Sequence, residues 1–352
     1  MNSKEKRVVM IILVLLIVLW IMFIIKVNNN KVTYKDNINV VPTMYDYVSD
    51  DSCYSPTLQL VWNDMKNIII GKDIEFPYKN DTVDNLNKEY FTSDMISEDY
   101  YYKNFGLKTK MLKEEIEKGI YDKFKEKSDV LDNISWSDES NTTNYLFYSM
   151  LYREFKFKSK FSKLDSNIKF KDKKGYEFFG TKDNDSEEVL KQIEVLFYNS
   201  DEDYAVLLNT SDNDEVILYK NPKGDTFNDI YTNLINNRNS YMGNKIFSSE
   251  DKLAIPIIKF NVLKEYKELT NVRFKTINND DVVIENAIQT INFLLDEEGG
   301  RVKSEGAIDT NIMSLGNSRE FIFDDTFALF LKEKDKDTPY FALNVSDLSK
   351  YQ

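Results

Sequence analysis

The chain contains no histidine, one cysteine, six prolines and eleven glycines among 352 residues. Without histidine there is no Ser-His-Asp triad, no Cys-His nucleophile pair and no His-bearing zinc site. Cys53 alone forms no internal disulfide and no four-cysteine metal centre, and no imidazole is present to activate its thiol. Positive charge is also short: 46 Lys+Arg stand against 59 Asp+Glu, a formal −13. Affinity for phosphates comes mostly from clustered Lys and Arg, so a nucleic-acid partner is not expected. Neither G-x-x-x-x-G-K-[ST] nor G-x-G-x-x-G occurs, which leaves a nucleotide cradle without support. The acidic stretches Asp201-Glu202-Asp203 and Asp212-Asn213-Asp214 lack the central Gly and terminal Glu of an EF-hand and read as solvated turns. No cofactor and no metal is therefore expected. Carboxylate chemistry, a binding role or a mechanical role remain.

Hydrophobic residues make up 42% of the chain, an ordinary globular share that suffices for a sizeable core. The abundance of Asn, Lys, Ile, Asp and Tyr resembles AT-rich coding and points to a low-GC bacterium. Residues 8–25, VVMIILVLLIVLWIMFII, form an uninterrupted apolar run of about 27 Å as a helix, enough for a bilayer's hydrocarbon core. Lys4, Lys6 and Arg7 precede it, so the positive-inside rule places residues 1–7 in the cytoplasm and the remainder outside. No small-x-small cleavage site follows, which favours a signal anchor over a cleaved signal peptide; the latter would leave the protein secreted. Residues 26–50 are polar and read as a stalk, and residues 51–352 as a single ectodomain. The expected state is a single-pass, monomeric membrane protein whose bilayer contact is residues 8–25.

Residues 56–70 place Leu58, Val61, Trp62, Met65 and Ile69 near one helical face, with Gly71 suited to a C-cap. Residues 107–127 predict a charged amphipathic helix with the stripe Met111, Leu112, Ile116, Ile120 and Phe124. A further helical stretch falls near 226–237. Beyond residue 140 short apolar or alternating runs predict strands: 145–157, 193–199, 204–210, 215–221, 254–260, 290–296, 327–333 and 339–345. Helices early and strands late indicate α+β rather than alternating α/β.

The order of these segments resembles the serpin family. Ser55-Pro56 before a helix is similar to the SP pair of that family's second helix. SMLYREFKFKSKF (149–161) resembles its N-A-x-Y-F-x-G-x-W-x-x-x-F segment, with Tyr152, Phe157 and Phe161 in step. AIPIIKFNVLKEYKEL (254–269) matches its PKF…Y segment at Pro256, Lys259, Phe260 and Tyr266, and 323–333 and 339–345 are similar to its closing strands. QTINFLLDEEGGRVKSEGAIDTNIMS (289–314) resembles the strand entering the family's hinge, where V-x-E-x-G is met by Leu295, Glu297 and Gly299. Leu58, Ser149 and Gln289 depart from the usual Ser, Asn and His in the region where the family's sheet opens.

The resemblance implies a large central sheet with an exposed reactive loop at about 299–320 and a target protease as partner. Cleavage of the bait lets the loop insert as an extra strand. One alternate set, Gly300, Val302, Ser304, Gly306 and Ile308, is small or apolar; the other, Arg301, Lys303, Glu305, Ala307 and Asp309, carries the charges. Glu297, Gly299, Gly300, Val302, Ser304 and Gly306 are thus the hinge residues. A register one residue out would bury the charges instead and forbid insertion. Family spacing puts the reactive bond at Met313–Ser314, or at Leu315 when counted back from Phe327. No residue of this chain is then catalytic. The alternatives are a non-inhibitory serpin-like binding or structural module, whose loop alternates by chance, and an exported carboxylate hydrolase.

Overall fold

The structure is a computed structural model that describes residues 37–352 apart from 129, 138–144, 166 and 301–317. The apolar run 8–25, Val302, Ser304, Gly306, Met313, Ser314 and Leu315 lie outside the described residues. Among the described residues no helix is long and apolar enough to cross a membrane.

Along the chain come β1 (Asn39–Val41), β2 (Ser52–Tyr54), α1 (Thr57–Asp64, prolonged by a π-helical turn Met65–Ile70), α2 (Asp81–Asn87), β3 (Tyr101–Leu107) and α3 (Lys110–Phe124). There follow β4 (Tyr145–Leu151), β5 (Phe155–Lys156), β6 (Ser162–Lys163), β7 (Phe178–Gly180) and α4 (Glu187–Lys191). Next are β8 (Ile193–Ser200), β9 (Asp203–Asn209), β10 (Asp214–Lys220), α5 (Phe227–Ser240), β11 (Lys252–Pro256) and β12 (Ile258–Glu265). The chain closes with β13 (Arg273–Lys275), β14 (Asp281–Val283), β15 (Ile288–Leu295), β16 (Gly299–Gly300), β17 (Glu320–Ile322), β18 (Phe327–Glu333) and β19 (Phe341–Val345).

The frame is a seven-stranded sheet ordered β1-β2-β19-β18-β10-β9-β8, antiparallel except for β1–β2. Its inner strands read as continuous apolar runs because both faces are covered. Val216, Leu218, Phe327, Leu329 and Leu331 enter one core, while Ile217, Tyr219, Ala328 and Phe330 enter a second. α5 roofs the second with Phe227, Ile230 and Leu234; its Thr226 side chain caps it by accepting from Asp229 N at 3.0 Å. A four-stranded mixed sheet, β17-β11-β7-β6, and the ribbons β3–β4 and β12–β15 complete the part that concerns function. The α+β class expected from the sequence is what the elements form.

α1 ends where expected, at Gly71 with φ of 76°, whose N–H closes onto Lys66 O at 2.8 Å. α3 is capped by Thr109 Oγ1, which accepts from Leu112 N, and buries Leu112, Ile116 and Ile120 against Leu146 and Tyr148 of β4.

Several expectations need correction. The stalk does not extend to residue 50: Ile38, Val40, Val41 and Met44 are buried and β1 pairs with β2, so the folded unit already includes residue 37 onward. Its polar composition hid a three-residue edge strand in which Val40 and Val41 are buried. The helix expected from 107 starts at Lys110, because residues 101–107 pair with β4, and Met111 is 67% exposed rather than part of the stripe. The strand expected at 254–260 is two strands that part at Ile257 and join different sheets. Asp214 is not a solvated turn residue but fully buried. The expected large central sheet is, among the described residues, two separate ribbons, and the largest sheet is the seven-stranded frame.

Phe330 is fully buried, with ring centroids 5.2 Å from Tyr231 and 6.2 Å from Phe227. Phe330→Ala is expected to lower unfolding free energy by about 3–5 kcal/mol through lost burial and a cavity, and Phe330→Leu by less than half of that. Urea denaturation of both variants measures the difference.

Candidate functional site

β3 takes one edge of β4, and β12 takes one edge of β15. The remaining edges converge at one end. There Asp296 and Gly299 close a two-residue hairpin: Asp296 N donates to Gly299 O at 3.0 Å and Gly299 N to Asp296 O at 3.3 Å. Gly299 and Gly300 then run antiparallel to Lys156 and Phe155 of β5. Phe157 N and Phe161 N donate to the carbonyls of Glu298 and Glu297 at 3.0 and 2.9 Å. The chain leaving β15 has therefore turned back between the continuation of β15 and that of β4. Among the described residues no β-pairing joins β4 to β15 themselves. Both run toward the hairpin, so Gly299 and Gly300, returning from it, are antiparallel to each direction.

Only glycine fits at the hairpin's exit. Gly299 has φ of 138°, and a Cβ there would strike the Phe155 carbonyl; one at Gly300 would strike the Phe155 ring. This corrects the loop's expected limits. Gly299 and Gly300 are buried and paired, and Glu320 already belongs to β17. Glu297 is buried too, its Oε1 lying 3.4 Å from Lys163 Nζ and 3.5 Å from Lys160 Nζ, while Oε2 has no hydrogen-bond partner. Lys160 donates to Glu298 Oε1 at 2.6 Å and holds that carboxyl below the usual carboxylate range.

At the other end of 301–317, Arg319 is fixed. Its Nε and Nη2 donate to Asp251 Oδ1 and Oδ2 at 3.1 and 2.8 Å, and its backbone N donates to Oδ1 at 2.9 Å. Nη1 and Nη2 also donate to the carbonyls of Asn244 and Ile246 at 2.6 Å each. Burial alone would raise the Asp251 carboxyl, but these charge-assisted bonds outweigh it and hold the group below its ordinary value.

β4 and β15 carry buried polar groups. Gln289, on the buried face of β15, accepts from Tyr266 OH at 2.7 Å and donates to Ser55 O at 3.0 Å and Thr57 Oγ1 at 2.5 Å. It ties β15 to the start of α1, with both amide hydrogens engaged there. On β4, Ser149 Oγ is buried without a partner. Just beyond β4, Arg153 is 4% exposed and donates through Nε to both oxygens of Asp214, at 2.9 and 2.8 Å. Its guanidinium carbon sits 3.1 Å from the Tyr100 ring centre, and neither Nη1 nor Nη2 finds an acceptor. Tyr340 OH donates to Asp214 Oδ1 at 2.8 Å. Burial raises the Asp214 carboxyl against the pull of Arg153. An unmet buried donor costs about 1–3 kcal/mol, and more when charged.

Glu297, Gly299 and Gly300 lie together at this hairpin. Arg153, Asp214, Asp251 and Arg319 were not foreseen. One signal was available: Arg153 stands at the F of the N-A-x-Y-F motif, a charge at an apolar position. Asp251 and Arg319 are far apart in sequence, with nothing to link them. Cys53 is fully buried, and burial pushes its thiol up, away from nucleophilic use.

No family model matches the chain, and neither does any curated protein. Among solved structures, a highly specific serpin of the insect Tenebrio molitor is 14% identical over 86% of this chain and 93% of its own, with a TM-score of 0.46. A serine protease inhibitor (serpin) of Manduca sexta gives 10%, 86%, 94% and 0.49. Human thyroxine-binding globulin gives 12%, 84%, 91% and 0.48. In overall fold the chain is similar to serpins. Likeness at this level concerns the path of the chain and not what it does.

Asp251 has a lowered folded pKa, so its stabilisation is present above the unfolded value near 4 and is lost as pH falls through the folded value. Asp251→Asn is expected to lower the melting temperature at pH 7 and to flatten its decline below about pH 4. Melting curves from pH 2.5 to 7 decide; a variant that keeps the wild-type acid slope contradicts the assignment.

Proposed function

We propose that this chain is a serpin-like, suicide-type inhibitor of a serine or cysteine protease, carried outside the cell on a membrane anchor formed by residues 8–25. The chain supplies bait and spring, and the reacting groups belong to the target protease. Met313–Ser314 is the bond offered, with Leu315 as the neighbouring choice.

One observation carries the reading. The Asp296–Gly299 hairpin sets a register that, continued, pairs Leu295 with Gly300, Phe293 with Val302, Ile291 with Ser304 and Gln289 with Gly306. Directly opposed residues share a face of an antiparallel pair. The β15 members of these pairs are all buried, whereas Asn292, opposite Lys303, is exposed. An inserted strand in this register buries Gly300, Val302, Ser304 and Gly306 and keeps Arg301, Lys303 and Glu305 outward. The segment 301–308 also equals the eight residues of β15 in length. The first rung exists already, since Gly299 is bridged to Asp296 on one side and to Lys156 on the other. With Arg319 fixed, a cut frees only the hinge side.

Arg301 and Lys303 at the entry favour a second reading, a non-inhibitory serpin-like binding module at the cell surface. The anchor rests on the 18-residue apolar run behind Lys4, Lys6 and Arg7.

Incubation with subtilisin-, elastase- and papain-type proteases is expected to yield an SDS-stable adduct and a cut at Met313–Ser314. Cleavage with neither adduct nor thermal stabilisation contradicts inhibition. Val302→Arg places a charge on the buried face and should convert inhibitor to substrate; an unchanged adduct yield contradicts the register.

A further inference from the structure

We propose that Asp214, Glu333 and Arg153 form a proton-operated clasp: Glu333 takes up and releases a proton, and Arg153 turns between one carboxylate and two. The clasp is independent of any bait segment or target protease.

The frame brings two acids together beside a rung where charge is matched. In the β10–β18 register Glu215 lies opposite Lys332, and the two form an ion pair at 2.9 Å. One rung along, Asp214 lies opposite Glu333. Directly opposed residues share a face, so both carboxylates enter the side lined by Val216, Leu218, Leu329 and Leu331. They are 0% and 2% exposed, and like charges opposed in this way are destabilising. Among the described residues the only ion pair of Asp214 is with Arg153, and Glu333 has none. Nearby cations are engaged elsewhere. Lys334 Nζ donates to the carbonyls of Thr210 and Asp212 at 3.4 and 2.8 Å, and Lys336 Nζ to that of Asp94 at 2.7 Å. Asp212 and Asp335, in the turns beside the two strands, add negative potential.

The two acids are not equivalent. Asp214 accepts from Arg153 Nε through both oxygens and from Tyr340 OH, whereas the Glu333 side chain accepts only from Ser97 N, at 3.1 Å. One guanidinium balances one of them, so the proton belongs on the less supported Glu333. Burial raises its carboxyl, and the Ser97 N–H and Arg153 only partly oppose that. Arg153 has the means to answer the ionised form. Nε alone serves Asp214, while Nη1 and Nη2 are buried without acceptors. Ionised Glu333 offers the acceptor they lack, and Nε keeps Asp214. The guanidinium stacks on Tyr100, whose carbonyl accepts from Tyr152 N at 2.9 Å. A turn of Arg153 is therefore felt where the β3–β4 ribbon joins the frame. In a chain without histidine, this pair supplies the pH response that an imidazole usually gives.

Because its folded pKa is raised, the stability Glu333 contributes is full below the unfolded value near 4 and is lost as pH rises through the folded value. Glu333→Gln keeps the neutral shape at every pH. In melting curves of the full-length chain from pH 4 to 8, this variant should match wild type at pH 4 and exceed it by about 2–4 °C at pH 8. Arg153→Lys keeps a cation for Asp214 without the guanidinium fork, and in that background the divergence should move to higher pH. Infrared spectra of the wild type should show a carboxylic-acid C=O band that persists above pH 5, where exposed carboxyls are ionised, and that Glu333→Gln removes. Absence of such a band in the wild type, or a Glu333→Gln protein that melts below wild type at pH 8, overturns the clasp. A divergence that Arg153→Lys leaves in place overturns the turning of Arg153.

Discussion

Two strands that each carry an edge without a partner among the described residues are the constraint on which the rest of the structure turns. There β4 pairs with β3 alone and β15 with β12 alone, and the hairpin after β15 meets β5, which follows β4. A backbone edge is a row of donors and acceptors, and natural proteins cover such edges or let something add to them. Here the hairpin at Asp296–Gly299 turns the chain back and sets Gly299 and Gly300 against Lys156 and Phe155.

The surroundings divide into parts that cannot yield and parts that can. The seven-stranded frame has both faces buried in aromatic and aliphatic cores, and its inner strands are almost inaccessible to water. Beside their backbone pairing and buried apolar residues, the ribbons and the chain flanking them carry side-chain ties: Gln289 to the start of α1, Lys108 Nζ to Glu285 Oε2 at 2.5 Å, and the Lys160 and Lys163 contacts of Glu297. Such ties can be exchanged one by one, whereas opening the frame would expose whole faces. The asymmetry of the two loop ends follows the same logic. The exit is fastened by an arginine whose five bonds engage a carboxylate and two carbonyls, while the entry is fastened by two glycines against a two-residue strand.

The sequence made β8, β9, β10, β18 and β19 of the frame legible because they are short apolar runs bounded by polar turns, and it made α1 legible through periodicity and Gly71, and α3 through periodicity. It misjudged residues whose environment is set by distant partners. Asp214 looks like any acidic turn residue until Arg153, 61 positions away, is folded against it. β1 is three residues long inside a polar stretch, too short for alternation to register. The division of 254–260 into two strands depends on which neighbours flank Ile257, which no local pattern encodes. For the site, the alternation of 300–308 was visible, but the face on which each set falls depends on the Asp296–Gly299 pairing, a property of backbone geometry.

Strand addition itself is tested most directly by amide hydrogen exchange of Tyr145–Leu151 and Ile288–Leu295 in the intact chain and in the chain cut between Met313 and Ser314. Residues whose N–H groups have no partner in β3 or β12 should exchange far more slowly after the cut, on both strands together, while the frame strands stay unchanged. Unaltered exchange along β4 and β15 in the cut protein would contradict the account.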